Sequence, residues 1–208
     1  MLLKWKEEIA NAITHGIGFF LSIAGLVILI VRSLYREQGT LALTSLIVFG
    51  SSMIFLYLCS TLLHSIHVKK ARRIFTILDH SAIYVLIAGT YTPFLLITLR
   101  GTLGWTLFGL VWAIAIGGIV FKSIFADRYN VISTIGYLIM GWLILPAIVP
   151  MYQGLHLAGF LLLLGGGLLY SLGTIFYLWE KLPFSHAIWH LFVMAGSACM
   201  FFCILLFV

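Results

Sequence analysis

The chain has 208 residues, of which 62% are apolar and only 9% charged, with a mean hydropathy of +1.15. So little charge cannot cover a water-soluble domain of this length, which excludes a soluble enzyme or binding module and indicates a membrane protein. The net charge of +6, twelve basic residues against six acidic ones, reads in such a chain as cytoplasmic loops and contacts with anionic lipid rather than a nucleic-acid surface.

The first residues mix charge with apolar positions, and the stretch 1–12 is expected to form a short interfacial helix leading into the membrane. A helix that crosses a bilayer needs roughly 20 mostly apolar residues. Apolar runs predict seven such spans, at about 13–31, 40–63, 76–98, 104–121, 131–149, 155–179 and 186–207. The first run is long enough to span and lacks small-residue cleavage chemistry, so it is expected to be retained. Short breaks separate the spans, and short connections make neighbouring helices antiparallel. The fold class is therefore all-α, a single seven-helix membrane domain over 1–208. No internal repeat is visible, which argues against an inverted-repeat transporter.

Within the spans, Gly117-Gly118 and Gly165-Gly166-Gly167 are expected at close helix contacts. Pro93, Pro146 and Pro150 lie near span ends, where kinks are tolerated. Cys59, Cys199 and Cys203 sit in apolar runs without a CxxC pattern and indicate neither a disulfide framework nor a zinc ribbon. With the N-terminus inside, nine Lys and Arg face the cytoplasm against Arg32, Arg36 and Arg100 outside, so the predicted orientation is N-terminus cytoplasmic and C-terminus outside.

That orientation collects six of the seven histidines (15, 64, 67, 80, 186 and 190) at the cytoplasmic side, with His156 alone at the other face. His186 and His190 are four residues apart, on one helix face and about 6 Å apart along the axis. This is how two imidazoles on one helix grip a metal ion. Ser60 and His64 repeat the spacing on the second helix. Three histidines with one position open form a recurring catalytic zinc shell. Asp79, the one acid placed within a span, is a candidate to hydrogen-bond the water of that shell, as general base or as an orienting group. Taken singly, these residues have bland explanations. A histidine near a helix end is ordinarily interfacial, and Asp79 has Arg72 and Arg73 nearby as salt-bridge partners. Their convergence at one depth is what scattered interfacial histidines would not produce.

The segments EEIANAITHGIG (7–18), CSTLLH (59–64), LDHSAIYVLIAGTYTPF (78–94) and HAIWHLF (186–192) together resemble the bacterial hemolysin III family, a branch of the progestin and adipoQ receptor group that includes the adiponectin receptors. The resemblance covers essentially the whole chain. It implies a seven-helix fold with a cytoplasmic N-terminus, and zinc bound by His64, His186 and His190. It places Asp79 where an aspartate contacts the zinc-bound water, with Ser60 in the SxxxH motif. It also implies hydrolysis of a lipid amide such as ceramide. The chain departs from the receptors at His80, where they carry tyrosine, and in lacking their long N-terminal extension.

The expected protein is a multi-pass cell-membrane protein with zinc as cofactor and membrane lipids, including a lipid substrate, as partners. The sequence leaves homo-oligomerisation open. Two other classes stand beside the hydrolase: a membrane homeostasis sensor with structural zinc, and a pore-forming hemolysin. No predicted span carries a polar stripe through its full thickness, as a pore would need. No lysine in the seventh span could form a retinal Schiff base. For the first-helix EEIAN segment and His15, the sequence offers no role beyond capping and hydrogen bonding near the site.

Overall fold

A computed structural model describes residues 2–126, 128–179 and 181–208; Met1 of the expected interfacial helix, and Asp127 and Glu180 of two expected connections, lie outside the described residues. Every regular element among the described residues is helical: α1 Leu2–Tyr35, α2 Thr40–Ser65, α3 Lys69–Pro93, α4 Gly101–Phe125, α5 Asn130–Gly141, α6 Ile148–Leu178 and α7 Ser185–Phe207. A π-helical turn, Phe94–Leu99, extends α3, and a 3-10 turn, Leu145–Ala147, precedes α6. Both irregular turns follow from proline chemistry. Pro93 and Pro146 have no N–H to give to the preceding turn, so the backbone widens or tightens beside them.

Among the described residues, six helical stretches, not the seven expected, are long and apolar enough to cross a membrane. The fifth and sixth expected spans fall in one 49-residue stretch, Asn130–Leu178. Its first part breaks after Gly141 and again at Pro146, so it contains no uninterrupted helix of spanning length. The PMYQG segment, read as a polar break, is helical. The chain turns instead at His156, whose backbone (φ 55°, ψ 177°) is non-helical. Trp142 Nε1 donates to Ser171 Oγ at 3.0 Å, although a straight helix would hold residues 29 apart about 43 Å from each other. The stretch therefore doubles back on itself.

The expected interfacial helix also differs from what forms. Residues 2–35 make one continuous helix, because the charged first turns keep helical hydrogen bonding and find partners on α2, α3 and α7. Helices α1, α2, α3 and α7 pack side by side, and α6 lies along α7. Several glycines act as the spacing expectation holds: a Cβ on Gly118 would overlap the Tyr84 ring, and one on Gly166 would crowd Met200. Gly117 and Gly165 face open space, so not every residue of these runs serves packing. Large apolar side chains such as Phe20, Ile124 and Leu161 are exposed all around the bundle. On a soluble protein they would aggregate; on a lipid-facing wall they are the expected surface.

Candidate metal centre

Two helices bring the three predicted donors together at one end of the bundle. His64 stands in the last turn of α2, and His186 and His190 stand in the first two turns of α7. One ligand nitrogen from each of the three lies within 4.8 Å of the others, a separation that a single metal ion can bridge. The donors are sheltered: His64 is 8% exposed and His190 1%.

Hydrogen-bond partners decide which nitrogen each ring turns to the centre. His64 Nδ1 lies 2.7 Å from Glu8 Oε2, an acceptor, so this nitrogen carries the proton and donates. Its Nε2 is buried without a partner. The amide nitrogen of Asn11, at 3.5 Å from the same Nδ1, is the weaker contact. His190 Nδ1 donates to the Asn11 carbonyl at 3.2 Å and to Thr14 Oγ1 at 3.1 Å. Thr14 can accept because its own proton is given to the Ala10 carbonyl at 2.8 Å. His190 Nε2 is then the bare nitrogen. A buried, unpartnered ring nitrogen on a histidine whose other nitrogen is held by a carboxylate is the usual arrangement of a metal ligand, and the residues present fit a zinc ion.

Asp79 and Ser60, 7% and 1% exposed, line a cavity together with His15, His186 and His190. Asp79 is close enough to Ser60 and His64 to feel both electrostatically, while Ser60 Oγ has no hydrogen-bond partner of good geometry. The cavity encloses about 930 Å³ between its walls, mouth included. Away from the histidines it is apolar, walled by Ile83, Leu86, Leu138, Trp142, Val193 and Met200. Arg72, one of the salt-bridge partners considered for Asp79, pairs instead with Glu8 at 2.6 Å.

The remaining histidines separate by place. His15 stacks on His190, with ring centroids 3.4 Å apart and both nitrogens unpartnered. His80 is buried; its Nε2 lies 3.4 Å from Tyr177 Oη, and its carbonyl accepts from Tyr137 Oη at 2.9 Å. His67 stacks on Trp5 at the surface, and His156 is exposed at the chain turn. The sequence placed the EEIAN segment (7–11) near the site without assigning partners to Glu8 or Asn11, and it missed Thr14 and Arg72 as neighbours of the centre. A signal for the face that Glu8 and Asn11 share was present: Glu8, Asn11 and His15 recur at i, i+3 and i+7, a polar stripe along one face of an otherwise apolar helix.

A model of the Haemolysin-III related family matches residues 3–201. The chain belongs to that family. Hemolysin-3 of Bacillus cereus is 64% identical over 204 residues, 98% of this chain and 92% of that protein. The Hemolysin-3 homolog of Bacillus subtilis (strain 168) is 60% identical over 202 residues, 97% of this chain and 94% of that protein. More distantly, the human Monocyte to macrophage differentiation factor is 31% identical over 163 residues, 76% of this chain and 67% of that protein. This last match ties the hemolysin III proteins to the progestin and adipoQ receptor-like proteins. As a hemolysin III protein with six candidate spans, the chain is a multi-pass cell-membrane protein.

Proposed function

We propose that this hemolysin III protein is a zinc-dependent hydrolase of a membrane lipid amide, ceramide-like in having an acyl chain on an amide nitrogen. The observation that carries the reading is the convergence of His64, His186 and His190, with outer hydrogen bonds leaving a bare nitrogen on His64 and on His190, beside a buried acid and an apolar cavity. When bound, zinc supplies Lewis acidity, polarising a carbonyl and acidifying water. The chain's own residues supply the rest. Asp79 takes the proton from the attacking water and gives it to the amide nitrogen as the carbon–nitrogen bond breaks, since it is the carboxylate lining the cavity beside the histidines. Ser60 Oγ, buried without a partner, donates to the charge developing on the carbonyl oxygen. The apolar walls of the cavity hold the acyl chain and keep bulk water out.

Metal analysis tests the reading. Detergent-purified wild type should carry about one zinc per chain, and His190→Ala should carry none and lose turnover of a lipid amide. Turnover that survives in metal-free His190→Ala protein would sink it.

The topology belongs to the same proposal. The 49-residue stretch would measure about 73 Å as a straight helix, more than twice the hydrocarbon thickness. We infer that its two arms cross separately, making seven passes with the N-terminus and the histidine end in the cytoplasm, as the nine-to-three distribution of basic residues favours. A reporter active only outside the membrane should work when fused after Val208 and fail when inserted at 67. Equal activity at both positions would return the count to six passes.

The name of the Bacillus cereus relative, Hemolysin-3, favours cytolysis as a second reading. It predicts that purified protein makes liposomes leak at low protein-to-lipid ratio. Intact liposomes under those conditions would remove it.

A further inference from the structure

The first turns of α1 touch the histidine centre at more points than packing a helix end requires. Glu8 Oε2 accepts from His64 Nδ1 at 2.7 Å, and its other oxygen, Oε1, accepts from Arg72 at 2.6 Å. One turn on, the Asn11 carbonyl and the Thr14 hydroxyl accept from His190 Nδ1. One turn back from Asn11, Glu7 Oε1 accepts the backbone N–H of Phe184 at 2.9 Å. Phe184 is the left-handed residue (φ 57°) that opens α7 just before His186. A segment that resembles an interfacial anchor therefore reaches α2, α3 and α7 at once.

The chemistry of these contacts is directional. Every partner of a ligand-ring Nδ1 that can only accept sits on α1: a carboxylate, a carbonyl, and a hydroxyl whose proton is already committed. Such partners hold the proton on Nδ1, fix the ring plane, and leave Nε2 as the lone-pair donor. A carboxylate does more than a neutral acceptor, because it makes the imidazole more basic toward a cation. Glu8 is itself half-sheltered, at 17% side-chain exposure, and the Arg72 guanidinium pairs with the carboxylate oxygen that does not meet His64.

We propose that Glu8 is the positioning residue that sets metal affinity at this site, with the α1 segment from Glu7 to Thr14 acting as its outer shell. The proposal rests on the zinc reading given above. Glu8 does not touch the metal or the substrate; it acts through His64.

Zinc affinity of the full-length protein in detergent, measured by competition with a metallochromic chelator, tests this without any assay of turnover. Four proteins are compared: wild type, Glu8→Ala, Glu8→Gln and Arg72→Gln. Glu8→Ala should weaken zinc binding by about 10- to 100-fold. Glu8→Gln, which keeps an acceptor oxygen but loses the charge, should fall between Ala and wild type. Arg72→Gln removes the ion pair while leaving the Glu8–His64 contact, and should bind zinc within about threefold of wild type. Wild-type affinity in Glu8→Ala would overturn the proposal. So would an equal loss in all three variants, which would make Glu8 only a strut between α1 and α3. If Glu8→Ala does not fold, the order of Glu8→Gln and Arg72→Gln carries the same decision. A wild type that binds no zinc would instead overturn the zinc reading itself and this inference with it.

Discussion

The histidine end of the bundle and the doubled-back stretch Asn130–Leu178 are built on opposite terms. At the histidine end, polar side chains from α1, α2, α3 and α7 interlock through two carboxylates, two imidazoles, a guanidinium and two backbone groups. Each bond has one geometry and few substitutes, so the helices have little freedom to slide. In the doubled-back stretch, apolar residues dominate, and the helix is interrupted at Gly141, Pro146 and His156. Its cross-link is a single indole-to-hydroxyl bond, Trp142 to Ser171, joined by van der Waals contact. Apolar packing tolerates many registers, so here glycine and proline chemistry sets the shape. In a membrane, directional polar contacts determine where helices meet, whereas backbone chemistry determines where they end.

Substitutions at the two ends should separate accordingly. The largest effect falls on Asp79→Asn, which leaves the three histidines and their outer partners intact. Zinc content should stay at wild-type level while turnover of a lipid amide falls by roughly 10²- to 10⁴-fold, the usual worth of a general base. Loss of zinc in Asp79→Asn would merge acid and metal into one structural unit and remove the division of roles. A much smaller effect of opposite sign is expected at the other end. His156 holds a positive φ with an extended ψ, a conformation that costs a residue with a Cβ roughly 1–3 kcal/mol. His156→Gly should therefore raise the thermal midpoint in detergent without changing zinc content. A lowered midpoint would show that the exposed imidazole, and not the backbone turn, stabilises the reversal.

Much of the histidine end was legible in the sequence. The i,i+4 pairs Ser60/His64 and His186/His190 each place two side chains on one helix face by geometry alone, and membrane orientation brings the two pairs to one depth. Asp79 stood out because carboxylates are costly inside a bilayer. The EEIAN segment reads as lying near the site, but the partners of Glu8 and Asn11 were hidden, because next to Lys4, Lys6 and Glu7 they belong to a charged, interfacial end. Their spacing put them on one face, but which helix that face meets depends on the rotation of α1 in the bundle. Periodicity does not carry that information.

The sequence by itself determined that this is an all-helical membrane protein, because 9% charge and long apolar runs leave no other way to satisfy the backbone in lipid. It also determined which residues could act as ligands, since metal chemistry restricts residue type and helix geometry restricts spacing. Only the tertiary structure decided three further points. It joined the interfacial segment to α1 as one helix, moved the chain reversal from the PMYQG segment to His156, and set Glu8 on His64 in particular. Each of these depends on contacts between residues far apart in the chain. Local hydropathy averages over neighbours along the sequence and carries no record of neighbours across a bundle.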